Sequence, residues 1–151
     1  MLPDVTIDAN VLAHADDPRQ TWQGACCALI ERLLAAETKL CVDEGFDLDE
    51  SKNRSRIAFE YLAHLRFGSP GYTFVHALAS SGRLCEVSRG VAPGAARVVK
   101  ILVHDRRDRL YVSVTLNSES LVLYSNDTTH FPPACNRALK KRLGVSVRST
   151  T

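Results

Sequence analysis

The sequence predicts an α/β fold in which helices cover both faces of a mostly parallel sheet. Short apolar segments rich in β-branched residues alternate along the chain with longer segments of helical periodicity, and polar side chains follow two of the short segments. Such alternation is typical of parallel strands joined by crossover helices. The 151 residues contain no repeat, low-complexity stretch or linker, so we expect a single domain over residues 1–151.

Four short segments have the composition of buried strands. They are residues 5–7, 39–42, 84–87 and 121–124. Asp8-Ala9-Asn10 follows the first of them, and Ser125-Asn126-Asp127 follows the fourth. Short apolar runs of this kind are typical of parallel strands that are covered on both faces.

Helical segments are expected over much of the remaining chain. Asp17 and Pro18 predict the start of a helix that carries Trp22, Leu29 and Leu33 on its apolar face. Further helices are expected to start near Ser55, Pro70, Pro93 and Pro133, with stops at Gly68, Gly82 and Gly144. Residues 43–56 are expected to form a loop. Residues 110–116 fit both a strand and a helix.

The composition favours a cytosolic protein without a strong overall field. The formal net charge is +2, so any binding of nucleic acid must come from local clusters of basic residues. We see no signal peptide at the N-terminus and no apolar run long enough to span a bilayer, and we expect a cytoplasmic location without membrane contact. The five cysteines are odd in number and contain no Cys-x-x-Cys pair, so we expect reduced thiols rather than disulfides or a zinc site.

Two predicted strands end in aspartate. Because the carboxyl ends of parallel strands meet at one edge of a sheet, Asp8 and Asp127 are expected to lie close together. Their mutual repulsion would favour a cation between them, and Mg²⁺ or Mn²⁺ is the natural choice for carboxylate oxygens. Acids that hold one or two such ions can activate water and stabilise the leaving oxygen of a phosphodiester.

Three blocks of the sequence resemble PIN-domain ribonucleases. Val5-Thr6-Ile7-Asp8-Ala9-Asn10-Val11-Leu12 is similar to the first strand of that family. Asp108-Arg109-Leu110-Tyr111-Val112-Ser113-Val114 is similar to its internal helix, and Leu121-Val122-Leu123-Tyr124-Ser125-Asn126-Asp127 to its late strand. The order and spacing of the blocks match over most of the chain. The resemblance implies a three-layer α/β/α sandwich with about five strands, and it favours a helix over residues 109–116.

The resemblance also implies a set of site residues. It places metal-binding, catalytic acids at Asp8, Asp108, Asp127 and, on a central helix, Glu60. Asn10 and Ser125 match its supporting polar residues. Glu44 and Glu50 stay open as alternatives to Glu60, and Asp105 as an alternative to Asp108. The five histidines lack metal-ligand spacing, and we expect surface or core positions for them.

The expected function is a Mg²⁺- or Mn²⁺-dependent endoribonuclease that cuts single-stranded RNA, and the resemblance implies that cleavage leaves a 5′-phosphate and a 3′-hydroxyl. Arg106 and Arg107 adjoin the acids in sequence and could bind phosphates. The resemblance further implies a toxin that is restrained by a small antitoxin protein, and a homodimer. Two alternatives stay open: a PIN-like module that binds RNA or protein without cutting, and a different metal-dependent phosphatase or DNA nuclease.

Overall fold

A computed structural model describes residues 1–150, and its sheet contains five strands. The strands are β1 (Asp4–Ile7), β2 (Lys39–Asp43), β3 (Leu84–Val87), β4 (Val122–Tyr124) and β5 (Ser146–Arg148). Every adjacent pair is parallel, in the order β3-β2-β1-β4-β5. The predicted α/β class with a parallel five-stranded sheet is therefore confirmed.

The strand order reverses direction at β1. The chain moves outward from β1 through β2 to β3, and then returns to the other side of β1 to form β4 and β5. Thr6 pairs with Leu123 and Ile7 with Tyr124, so β1 and β4 end side by side. In open parallel sheets, ligands bind in the crevice at the carboxyl ends of strands where the order reverses. In this protein that position is the shared end of β1 and β4, which Asp8 and Ser125 directly follow.

Seven helices connect the strands and form the outer layers of a three-layer sandwich. They are α1 (Ala9–Asp16), α2 (Gln23–Ala35), α3 (Arg56–His64), α4 (Pro70–Ser80), α5 (Pro93–Leu102), α6 (Arg106–Leu116) and α7 (Pro133–Leu143). Helices α1, α2 and α4 pack on one another, and α5 packs on α6 and α7. Since right-handed crossovers that run in opposite directions cover opposite faces, the reversal at β1 places these two groups on the two sides of the sheet.

The core is formed where both helix layers meet the central strands. Ile7, Leu40 and Leu123 are fully buried in the sheet, and Leu12 and Phe74 are buried in the helices beside it. Strand β1 is buried along its whole length, as expected for a central parallel strand. This burial fixes the position of the residues that follow β1 and β4. No helix within residues 1–150 is long and apolar enough to cross a membrane.

Two predicted helix boundaries are wrong. Helix α1 begins at Ala9 immediately after β1, with Asp8 as its N-cap, and Asp17 stands at its end instead of opening the next helix. The Asp17 carboxylate accepts hydrogen bonds from the backbone N–H and Nε of Arg19, which close a turn. Helix α3 ends at His64, because Leu65 is extended, and Gly68 (φ 82°) belongs to the turn before α4.

The ambiguous segment after Asp105 is a helix. Asp105 caps α6, and its Oδ1 accepts hydrogen bonds from the backbone N–H groups of Arg107 and Asp108. Asp108, Tyr111 and Val112 are buried on the inner face of α6, which lies over β1, β2 and β4. The helix expected over residues 109–116 is therefore confirmed, and it starts three residues earlier, at Arg106.

Candidate metal centre

A cleft of about 330 Å³ opens at the carboxyl ends of β1 and β4. All four acids that the sequence suggested line it: Asp8, Glu60, Asp108 and Asp127. Asp105 lines the cleft as well. Glu44 and Glu50 do not, and Glu50 lies instead on a separate depression beside Leu62. The structure thus brings together acids that are spread over about 120 residues of the chain.

Asp8 is buried and accepts hydrogen bonds from several directions. Its Oδ1 accepts a hydrogen bond from the backbone N–H of Asn10 (3.2 Å), which caps α1. Its Oδ2 accepts from the Ser125 hydroxyl (2.9 Å) and from the Asn10 amide Nδ2 (3.2 Å). The aspartate is therefore both a helix cap and a member of the acid cleft.

Ser125 and Asn10 join the ends of β1 and β4. The Ser125 Oγ also accepts hydrogen bonds from the Asn10 Nδ2 (3.4 Å) and from the backbone N–H of Asp127 (3.2 Å). The Asn10 Oδ1 in turn accepts from the backbone N–H of Asn126. The Ser125 hydroxyl donates its single proton to Asp8, so Ser125 and Asn10 together orient the Asp8 carboxylate.

Two tyrosines fix the backbone on either side of Asp8. The Tyr61 hydroxyl donates to the carbonyl of Ile7 at 2.6 Å, and the Tyr111 hydroxyl accepts from the backbone N–H of Ala9 at 3.3 Å. Both rings are buried, and burial raises the pKa of each hydroxyl well above its usual value. The hydroxyls therefore stay protonated and serve as anchors for the end of β1.

Asp108 is a buried acid with an incomplete set of partners. It projects from the first turn of α6 and is 7% exposed. Its Oδ2 is fully buried and has no aligned hydrogen-bond donor among residues 1–150. The Nδ1 of His130 lies 2.7 Å from this oxygen, an ion-pair distance, but outside hydrogen-bond geometry. An oxygen in this position is suited to a cation.

Asp127 and His130 belong to one tight turn after β4. The Asp127 Oδ1 accepts hydrogen bonds from the backbone N–H groups of Thr129 (3.0 Å) and His130 (2.9 Å). The turn brings the imidazole back over the cleft, where its Nδ1 lies 3.0 Å from the Asp127 Oδ2. The imidazole thus stands between two carboxylates, Asp127 and Asp108.

Glu60 reaches the cleft from α3, whose position depends on a buried aspartate. The Asp43 carboxylate, at the end of β2, accepts hydrogen bonds from the Ser55 hydroxyl (2.6 Å) and from the backbone N–H groups of Arg56 and Ile57. These bonds fix the start of α3. One turn later Glu60 faces the cleft, with His64 Nε2 at 3.4 Å from its Oε2.

The charges of the acids act on one another. Burial raises the pKa of Asp8; the hydrogen bonds from Asn10 and Ser125 oppose this effect, and the negative charges of Asp127 and Glu60 add to it. Burial raises the pKa of Asp108 to about 6, again with a contribution from the charge of Asp8, while His130 opposes the shift. A cation in the cleft would relieve both effects.

Histidines contribute more to this cleft than the sequence suggested. Within residues 1–150, the closely spaced group of potential ligands at the cleft is Asp105, Asp108 and His130, whose ligand atoms lie within 4.8 Å of one another. His14 and His64 line the cleft too. His64 and His130 are exposed, as expected, but they lie at the edge of the acid cleft, and the half-buried His14 lines the cleft with them. The tendency of aspartate to form a turn with the residues that follow it is the local signal in the sequence that could have placed His130 near Asp127.

The donor set fits a hard divalent cation. Carboxylate oxygens predominate, one of them is buried without an aligned donor, and no thiol within residues 1–150 lines the cleft. Mg²⁺ and Mn²⁺ prefer such oxygen ligands, and an imidazole is acceptable to Mn²⁺. Asp8, Asp108, Asp127 and Glu60 are the residues that could hold the ion.

A second group of potential ligands lies at the other end of the sheet. Asp4, Cys41 and Cys85 also have ligand atoms within 4.8 Å of one another. The Asp4 carboxylate, however, already accepts hydrogen bonds from the backbone N–H groups of Glu119 and Ser120. Burial raises the pKa of the Cys41 thiol far above its usual value, so the thiol stays protonated and is a poor ligand.

Neither a comparison with protein-family models nor a comparison with characterised proteins finds a match for this chain. Its function must therefore be inferred from the chemistry of the cleft.

Proposed function

We propose that this protein is a divalent-metal-dependent endoribonuclease of the PIN type, acting on single-stranded RNA. The observation that supports it most is the convergence of Asp8, Glu60, Asp108 and Asp127 on one cleft at the strand-order reversal. Burial, with a further contribution from neighbouring acids, raises the pKa values of Asp8 and Asp108, and a cation would balance the charge of their ionised forms.

The four acids would hold Mg²⁺ or Mn²⁺. Such an ion, when bound, activates water as a nucleophile and neutralises charge that develops on the phosphodiester. In the proposed reaction, water adds to phosphorus while the bond to the 3′ oxygen breaks, which leaves a 5′-phosphate and a 3′-hydroxyl. The acids themselves supply the negative charge that selects a cation for this position.

The surrounding residues would keep these acids in place. Asn10 and Ser125 orient the Asp8 carboxylate, and the turn N–H groups orient Asp127. Asp108 lies in the first turn of α6, which is held by two sets of hydrogen bonds. Asp105 caps the helix, and the Arg109 side chain donates to the carbonyls of Val103 and His104. Rigid placement matters because catalysis by positioned charges loses effectiveness when the groups must reorganise.

Basic side chains next to the cleft would hold the substrate. Arg107 lines the cleft, and Arg106 and Arg107 together line a neighbouring depression. Both side chains are exposed at the start of α6. Arginine at such positions binds phosphate oxygens and positions the chain without reading its sequence.

The test is cleavage of a labelled single-stranded RNA in Mn²⁺, Mg²⁺ and chelator. We expect cutting by the wild type only with metal, and a loss of at least about 100-fold in Asp8→Asn and in Glu60→Gln. Glu44→Gln and Glu50→Gln are matched controls, because both acids are exposed and lie outside the cleft. These two variants should cut like the wild type.

The opposite results would have distinct meanings. Loss of activity in Glu44→Gln or Glu50→Gln, with normal activity in Glu60→Gln, would show that Glu44 or Glu50 takes the catalytic role proposed for Glu60. Activity on phosphate monoesters or duplex DNA, with single-stranded RNA untouched, would point to a phosphatase or a DNA nuclease. A folded wild type without activity in any metal would contradict the nuclease.

One observation favours a second candidate, a PIN-like module that binds RNA or protein without cutting. His130 already places a ring nitrogen between Asp108 and Asp127, at 2.7 and 3.0 Å. A protonated imidazole there would balance the acids without a metal ion. Equal thermal stability with and without Mn²⁺, together with RNA binding in chelator, would favour this candidate.

The proposal includes the partners that the family resemblance implies. These are a small antitoxin protein that would cover the cleft, and a second copy of the chain. Co-expression with the product of a neighbouring short gene, followed by measurement of complex mass and RNase activity, tests the antitoxin. Sedimentation of the purified chain tests the homodimer.

A further inference from the structure

A second depression, of about 410 Å³, adjoins the acid cleft. We name it the basic groove and define it by the residues Asn53, Arg54, Arg56, Phe59, Arg106 and Arg107. Glu60 and Arg107 line both the groove and the cleft, so the two are continuous. A polymer whose scissile bond lies in the cleft would therefore reach the groove with an adjacent unit.

The four arginines of the basic groove are free to bind an anion. All four side chains are exposed, and none forms an ion pair within residues 1–150. Two neighbouring arginines are different: Arg89 pairs with Asp43 at 3.0 Å, and Arg109 donates to the carbonyl of Val103 at 2.6 Å. The four groove arginines, in contrast, have no such structural role.

Phe59 provides an exposed aromatic surface among these charges. Its neighbours on α3, Ile57 and Tyr61, are buried, whereas Phe59 is 63% exposed. Its ring contacts no other aromatic ring in the described part of the chain. A large exposed apolar side chain surrounded by cations is suited to a ligand that is both flat and anionic.

The loop that supplies Arg54 has a fixed shape. The carbonyl of Gly45 accepts hydrogen bonds from the backbone N–H groups of Arg54 and Ser55, and Asn53 bridges Asp47 and Ser55. A Cβ at Gly45 (φ 83°) would lie 2.7 Å from the Cβ of Arg54. The close approach therefore requires glycine, and it keeps Arg54 and Arg56 in place before any ligand binds.

We propose that the basic groove is a nucleotide subsite for single-stranded RNA, in which a base stacks on Phe59 and the arginines bind the flanking phosphates. This inference rests on the proposed function of the acid cleft. An unpaired base exposes its flat face, whereas the bases of a duplex are stacked on one another and cannot reach the ring. The groove therefore selects single strands.

The first experiment measures binding separately from cleavage. The Asp8→Asn chain in chelator is titrated with a labelled octauridine and with a chain of equal length that lacks bases. Phe59→Ala, introduced into the Asp8→Asn chain, should weaken octauridine binding about tenfold, since one base stack contributes about that much. The affinity for the abasic chain should not change. Phe67→Ala is the matched control, because Phe67 is 89% exposed and lies outside the groove.

A second arm tests the phosphate contacts. Arg54→Ala combined with Arg56→Ala should weaken both oligonucleotides and reduce the salt slope of octauridine binding by about 1.4, as for two phosphate contacts on a single strand. Arg97→Ala is the control, since Arg97 is exposed on α5, away from the groove. Phe59→Trp adds a direct signal, because stacking on a base should quench the new indole.

The outcomes separate this inference from the proposed nuclease. Equal effects of Phe59→Ala on both oligonucleotides, or no effect on either, would overturn the nucleotide subsite. If the groove variants leave RNA binding unchanged while the wild type still cuts RNA, the groove fits a protein partner instead. Base-dependent binding through Phe59 without metal-dependent cutting would retain the subsite and reject the nuclease.

Discussion

Asp4 and Asp8 stand at the two ends of the same strand and are both nearly buried, yet their environments differ. The Asp4 carboxylate accepts two backbone N–H groups, from Glu119 (2.9 Å) and Ser120 (2.8 Å). Burial alone would raise the pKa of Asp4, but these hydrogen bonds outweigh it and lower the pKa. At Asp8, burial outweighs the hydrogen bonds and raises the pKa, and the charges of Asp127 and Glu60 raise it further.

The difference distinguishes an acid whose charge the protein balances from acids whose charge it leaves unbalanced. The charge of the Asp4 carboxylate is balanced by hydrogen-bond donors of the protein itself. At Asp8, burial and the neighbouring acids outweigh the hydrogen bonds that it accepts, and the Oδ2 of Asp108 has no aligned donor within residues 1–150. A buried charge is stable only when it is paired, so the carboxyl end of the sheet requires a cation or protons, and the amino end does not.

The largest expected effect is stabilisation by metal. Mn²⁺ at about 100 times its Kd should raise the free energy of unfolding of the wild type by about 2.7 kcal/mol. Asp4→Asn should show the same gain, because Asp4 lies outside the cleft, and Asp108→Asn should show little. Thermal melts with and without Mn²⁺ measure the three gains. A full gain in Asp108→Asn would place the ion elsewhere.

The next prediction concerns pH in the absence of metal. Asp108 has a folded pKa of about 6 against an ordinary value of 3.8, so its contribution to stability is fully present below pH 3.8 and is lost as the pH rises through 6. Between pH 4 and 7 the wild type should therefore lose about 2 kcal/mol relative to Asp108→Asn. Urea unfolding in chelator measures this difference. A constant difference across that range would contradict the raised pKa.

A matched pair of substitutions tests the comparison itself. Asp4→Asn should lower the free energy of unfolding by about 1–2 kcal/mol, because the new amide group would face a backbone N–H donor. Asp8→Asn should change it less, since asparagine also caps helices and one repulsive charge disappears. Both are measured by urea unfolding in chelator at pH 7. Greater destabilisation by Asp8→Asn would reverse the assignment of structural and ligand-binding roles.

Much of the fold could be predicted because burial on both faces produces recognisable strands. Residues 84–87 and 93–102 correspond to observed elements, since local apolar runs and a proline start were sufficient there. The start of α1 was missed because Asp8 both ends a strand and caps a helix, with no intervening loop. Asp17-Pro18 has the pattern of a helix start. In the structure Asp17 is instead the C-cap of α1, a helix that the sequence did not predict.

The acids of the cleft could be predicted and the histidines could not. Asp8 and Asp127 follow strands, and strand ends converge for topological reasons. His130 meets Asp108 only through packing of the β4 turn against α6, a contact between distant segments that leaves no periodic signal. The basic groove has the same origin, because it combines residues from the loop before α3 with the first turn of α6.

The smallest effect should come from the residue that links the two strand ends. Ser125→Ala removes the hydroxyl that donates to the Asp8 Oδ2 at 2.9 Å, and Mn²⁺ affinity should fall about tenfold. Ser125→Thr keeps a hydroxyl and should bind Mn²⁺ much like the wild type. Titration calorimetry measures both affinities. Equal losses in the two variants would show that the site responds to the shape of residue 125, and that the hydrogen bond to Asp8 is not what prepares it for the ion.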